Sequence, residues 1–211
     1  MVTNEQLLQT SKYLNNIILS KWLSDQFLSP LWIGFVLAVL FSYAIFFYFA
    51  DKKRIVELLL FGSLVAVAFS VYSSVGQLFG FWATLFRLVP LQQNFFMSDL
   101  TILPLSAMLL YQYSNSWKSF VVATVIWAGL FAFGFNSILV RLNAFIYLTP
   151  LGPYIDFVFL IIIGTIARGL LITLLSLQVK QGNMASKTSL SSLIAEPVLK
   201  PTNDSDNDNA P

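Results

Sequence analysis

An all-α, multi-pass bundle of transmembrane helices is the fold class this sequence predicts, on three observations. Of 211 residues, 57% are hydrophobic and 10% charged, whereas soluble domains average about 25% charged residues. So little charge cannot cover a water-soluble globule of this size. The apolar residues gather into runs long enough to cross a ~30 Å hydrocarbon core at ~1.5 Å per residue. Between the runs lie short segments that collect Lys, Arg, Pro and Asn.

Residues 1–29 are polar overall but patterned. Leu7, Leu14, Ile18 and Trp22 fall on one helical face, with Lys12 and Asn16 opposite. That spacing predicts an amphipathic helix, lying on a membrane surface or packed on its own bundle. No basic segment precedes an apolar core, so the opening does not read as a secretory signal peptide.

The bundle is expected over 30–180. Its first span is 31–50, twenty residues without a charge, and it ends at Asp51-Lys52-Lys53-Arg54. Further spans are expected at 55–77, 95–113, 120–138 and 154–178. Two apolar stretches, 78–94 and 139–153, carry Arg87 and Pro90, and Arg141, Pro150 and Pro153. These are expected in the interface, where Trp and Tyr are favoured and broken backbone reaches water. The count is then about five, or six if one of them spans. The tail, 181–211, is rich in Ser, Asn, Asp and Pro. It cannot bury enough apolar surface to offset its ordering entropy and is expected to be disordered.

Lys and Arg set the orientation. With the N-terminus outside, the inner segments hold Lys52, Lys53, Arg54, Lys118, Lys180, Lys187 and Lys200. The outer segments hold Lys12, Lys21, Arg87 and Arg141. The imbalance favours N-outside and C-inside.

The chain has no Cys and no His. That removes Cys and His metal sites, His- or Cys-ligated haem, a Cys nucleophile and any His-based triad. Ten scattered acids do not suggest a carboxylate metal site, and no cofactor is expected. A net charge of +2 gives no argument for nucleic acid.

From Asp51 to Gln178 the chain resembles an uncharacterised family of small multi-pass membrane proteins of Gram-positive, endospore-forming bacteria. The likeness rests on Asp51-Lys52-Lys53-Arg54 with Glu57-Leu58-Leu59 and Gly62-Ser63, and on Ser98-Asp99-Leu100-Thr101-Ile102-Leu103-Pro104. It continues through Met108-Leu109-Leu110-Tyr111-Gln112-Tyr113 and Ser116-Trp117-Lys118-Ser119-Phe120. The chain departs from that pattern at Ser73 and Ala107. The resemblance implies a bacterial plasma membrane and no particular activity.

Four residues are candidates for a binding site. Arg168 stands mid-run in the last span, where a charge is costly and must face protein or water. Its expected partner is Glu57 if the role is structural, and Asp99 if a polar cavity runs through the bundle. Asp99 follows Ser98 as a first-turn acid, stabilised there by an N-cap and the helix dipole. Pro104 is expected to bend that helix. Glu57 sits beside the basic loop, and Gln112 at the inner boundary is a candidate for bonding between helices. Asp156 reads as a first-turn acid of the last span.

Small residues recur every fourth position at Gly34, Ala38 and Ser42, and at Gly62, Ala66, Ser70 and Ser74. Such stripes let helices approach closely. They predict that the first two spans contact each other or a second copy. With so few reactive side chains, the leading functional expectation is a non-enzymatic accessory, assembly or signalling component that binds other membrane proteins. The alternative is a small-solute or ion carrier with a polar site around Arg168 and Asp99. An intramembrane enzyme ranks third, since no paired-acid motif of the Gly-x-Gly-Asp kind is present.

Overall fold

The computed structural model describes residues 3–90 and 97–185, with side chains to residue 177. The expected tail therefore lies outside the described residues beyond 185, as do positions 95 and 96 of the expected third span. Two compact units divide the chain, Met1–Leu171 and Ile172–Pro211. The first holds the bundle. The described part of the second is the end of one long helix.

The first helix, α1, is Asn4–Lys21. Thr3 and Gln6 close a capping box at its start, each satisfying the other's backbone N–H. None of its residues is buried, and Ile18 is half-buried. A π-helical turn, Trp22–Gln26, continues it. Here the chain docks. The Trp22 indole donates to the carbonyls of Arg87 and Leu88, and the Gln26 amide pairs with Leu85 O and Arg87 N at 2.9 and 3.0 Å. Gln26 thereby bonds a loop backbone as another peptide would.

The second helix, α2, is Pro30–Phe49, with Ser29 as N-cap and proline in the first turn. A 3₁₀ turn, Lys52–Arg54, leads into α3, Ile55–Leu78. Strand β1, Trp82–Thr84, follows. A π-helical turn, Ser98–Ile102, then enters α4, Leu103–Tyr113. Pro104 explains that turn. Its ring would clash with the carbonyl four residues back, and the wider turn lets the N–H of Leu103 bond Ser98 O instead. Ser98 is consequently not an N-cap. It lies inside the wide turn and donates to Asp99 Oδ1 at 2.7 Å.

The fifth helix, α5, is Trp117–Gly129, and it runs through a π turn, Leu130–Phe135, into α6, Asn136–Arg141. Strand β2, Phe145–Tyr147, precedes α7, Gly152–Ala185. The helix thus passes residue 180, where the tail was expected to begin. β1 and β2 pair antiparallel, with Trp82 opposite Tyr147. The two stretches expected in the interface are joined in this ribbon, a small departure from an all-α fold.

Among the described residues, four helices are long and apolar enough to cross a membrane: Pro30–Phe49, Lys52–Leu78, Trp117–Arg141 and Gly152–Leu177. They match four of the expected spans. Most of their large apolar side chains remain exposed, Leu40, Val67, Ile126 and Ile166 among them, as lipid-facing residues do.

The small-residue stripes do not join α2 to α3. Instead α3 packs on α4 and β1, and α2 packs on α4. A Cβ on Gly62 would come within 2.3 Å of Met108 Cε, and one on Gly76 within 1.9 Å of the Trp82 ring, while Gly34 meets nothing within 4 Å. The α3 stripe packs closely at Gly62, but the neighbour there is Met108 of α4 and not the first span; Gly76, outside the stripe, meets Trp82.

Candidate functional site

Buried polar groups gather at the two ends of the bundle. At the end shared by α2's C-terminus and α3's N-terminus, Arg54 makes two hydrogen bonds to Glu57, at 2.8 and 2.9 Å. The Tyr111 hydroxyl adds a third to Glu57 at 2.5 Å. Glu57 is therefore occupied by its own helix turn and by α4. Arg168, 7% exposed, has no ion pair among the described residues. Its guanidinium lies 4.5 Å from the Phe120 ring centre, 5.1 Å from Trp117 and 5.6 Å from Tyr111. One nitrogen donates to Ser114 O at 3.2 Å, the frayed end of α4. The expected Glu57–Arg168 pair is not formed, because the ring of Tyr111 stands between them. Ring faces carry negative potential and substitute in part for a counter-ion.

Gln112 is likewise spent on structure. Its carbonyl accepts from Asp51 N at 2.8 Å and its amide donates to Phe49 O at 2.9 Å. These bonds satisfy the open end of α2 and tie it to the end of α4.

The opposite end holds what sequence reading did not bring together. Asp99 is 2% exposed and Asp156 is 3% exposed, and both line one small cavity of about 20 Å³ with Ser73, Ser98, Asn136 and Tyr72. Aromatic side chains, including Phe69, Trp82 and Phe131, also line it. Asp156 accepts hydrogen bonds from Tyr72 at 2.6 Å, from Tyr147 at 2.5 Å and from Asn136 at 3.0 Å. Burial, with the Asp156 charge beside it, pushes the Tyr147 hydroxyl well above its ordinary pKa. The Ser73 hydroxyl, on a side chain 6% exposed, makes no hydrogen bond to a described residue.

Each part of the site is set by a local feature. The wide turn before Pro104 places Asp99. The first turn of α7 places Asp156, and the antiparallel register places Tyr147 across from Trp82. Asp99 and Arg168 stand at opposite ends of the bundle, so the expected polar region joining them is absent among the described residues. Asp156 was legible as a first-turn acid, but nothing in its spacing showed that it shares a cavity with Asp99. Among the described residues, no Lys or Arg lines the cavity.

Comparison with protein families, with curated proteins and with solved structures found no match. The likeness to the endospore-former family rests on the quoted residues alone.

Proposed function

We propose that the chain is a five-span protein of the bacterial plasma membrane that binds one small cation between Asp99 and Asp156, as a carrier or as the ion-binding subunit of one. One observation carries the reading. Two almost fully buried carboxylates line one small cavity together with the oxygens of Ser73, Ser98 and Asn136. Two acids that share a site raise each other's cost of ionisation, and a cation held between them lowers it. The space is about that of one water, too small for an organic solute. Carboxylate, hydroxyl and amide oxygens are hard donors suited to a proton or an alkali ion. The unused Ser73 hydroxyl adds a further oxygen.

The fifth crossing is the segment Ser98–Tyr113. Its sixteen residues reach ~24 Å at ~1.5 Å each. Its first residues line the Asp156 cavity, whereas Tyr111 and Gln112 bond Glu57 and Phe49 at the other end. Parity supports the same count. Paired β1 and β2 lie on one side, and Trp117–Arg141 crosses once between them, so a second crossing must occur there. The distribution of Lys and Arg supports an outer N-terminus, with the acid cavity then near the outer face.

The test is thermal unfolding in mild detergent. Sodium, lithium or a lower pH should raise the unfolding temperature of the native chain relative to choline, by RT ln(1 + [L]/Kd) in free energy. Asp99→Asn should remain folded and lose that response. An unfolding temperature indifferent to all these ions and to pH defeats the cation reading. A partner-binding accessory role then stands, favoured by α1, whose Leu7, Leu8 and Leu14 are covered by nothing in the bundle. In either case α1 suits the surface of the membrane.

A further inference from the structure

The seam between α3 and α7 is closed at Tyr72 and Phe159 and open to either side of them. Tyr72 and Phe159 stack at 4.2 Å, and the Tyr72 hydroxyl reaches Asp156. Toward the basic turn the two helices leave a cleft of about 400 Å³, lined by Leu64, Val67, Ala68, Ile163, Ile166 and Leu170, with Ser63 at its edge. Ser63 turns its hydroxyl back to Leu59 O at 2.7 Å, so the wall offers no hydrogen bond. Protein interiors are close-packed, and a gap forfeits the dispersion contacts of its lining. This cleft needs an apolar, chain-like filler.

The helix that walls the cleft begins at a charge. At 3.6 residues per turn, Leu60, Leu64 and Val67 lie on one side of α3, and the basic turn Lys52–Arg54 directly precedes its first residue, Ile55. From Ile55 to Leu64 is nine residues, or ~14 Å, about half of the ~30 Å hydrocarbon core. Lys52 and Lys53 are exposed and make no ion pair among the described residues, since Glu57 is taken by Arg54. A second copy seated by two-fold symmetry would bring an identical basic turn to the same place. An anion relieves that charge.

We propose that the cleft holds an acyl chain of an anionic phospholipid whose phosphate sits at Lys52 and Lys53. Basic residues at a membrane surface attract such lipids, and the cleft converts that attraction into a fixed site. The proposal needs only the membrane setting and does not depend on the cation reading.

The experiment uses the full chain in phosphatidylcholine vesicles doped with phosphatidylglycerol carrying a photoactivatable group on its tail. After illumination, the label should concentrate on residues 63–68 and 163–170. Changing both lysines, Lys52→Gln with Lys53→Gln, should cut that labelling several-fold. Val67→Trp or Ile166→Trp, exposed positions that fill the cleft, should do the same. Val122→Phe, exposed on α5, should leave it unchanged. A phosphatidylcholine probe should label the cleft several-fold less. Label spread evenly over exposed residues, or equal labelling by the two lipids, overturns the proposal. So does efficient disulfide formation by Val67→Cys between copies, which would put a second chain in the cleft.

Discussion

A guanidinium held by rings tolerates different changes from one held by a carboxylate. Arg168→Met should fold and unfold within a few degrees of the native chain, since an apolar residue of similar length suits the Phe120–Trp117 box and removes a buried charge. Phe120 is 1% exposed, and Phe120→Ala should cost about 3–5 kcal/mol. A double-mutant cycle separates the two accounts of the arginine. Coupling of Arg168 to Phe120 should reach about 0.5–2 kcal/mol, and coupling to Glu57 should be smaller. The reverse order would restore the ion pair that the sequence suggests. Arg168 was legible as a group needing partners, because one charge in a long apolar run announces its cost. Its partners were not, because aromatic residues are common in membrane helices and none marks itself as a cation holder. At the other end, Tyr147 gives a pH signature. Its pKa is raised in the folded protein, so the folded state keeps a proton that the unfolded chain releases near pH 10. That contribution is fully present below about pH 10 and is lost as pH climbs through the folded pKa. Tyr147→Phe should lower stability at neutral pH, by removing the bond to Asp156, and should flatten the alkaline loss. An unchanged alkaline slope in that variant would place the titrating group elsewhere.

Close approach decides how the elements pack. Gly76 lies under the Trp82 ring and Gly62 against Met108, whereas Gly34 faces open space. Gly76→Ala should destabilise most, by about 1–3 kcal/mol as overpacked sites do, because Trp82 is a buried, rigid neighbour. Gly62→Ala should cost less, since an unbranched methionine can move aside. Gly34→Ala should be nearly neutral or slightly stabilising. Thermal unfolding of the three variants checks the order, and equal tolerance at 76 and 34 would mean β1 is not seated on α3. Small residues at helical spacing told which face of α3 permits contact. They did not name the neighbour, because α4 carries no matching stripe and supplies a methionine to the notch. The wide turns at 22–26 and 130–135 were not legible either. Only Pro104 gave a local signal, and it marked the turn that aims Asp99.

Connectivity constrains the molecule more tightly than any single run of hydropathy. The span 95–113 is the weakest by length, and in the proposed five-crossing arrangement it is the segment that lets the chain between β1 and β2 leave one side and return. Exposed positions on the described loops test this, because the chain has no native thiol. Ser114 is a poor reporter, being buried and holding Arg168; its neighbour Asn115 is exposed. With α2 as the first crossing, Lys52→Cys and Asn115→Cys should be labelled from one side by a membrane-impermeant maleimide. Thr3→Cys and Arg141→Cys should be labelled from the other. If Lys52→Cys and Asn115→Cys react from opposite sides, the segment from Ser98 to Tyr113 does not cross. Gln112 then could not reach the end of α2, although it spends both amide atoms there. If Asn115→Cys and Arg141→Cys react from the same side, Trp117–Arg141 lies within one leaflet despite its length. Its Thr124, 1% exposed against Gly164 of α7, would be left facing hydrocarbon. The proposed five-crossing arrangement would keep the acid cavity at one face, the arginine box at the other and the ribbon on a single side.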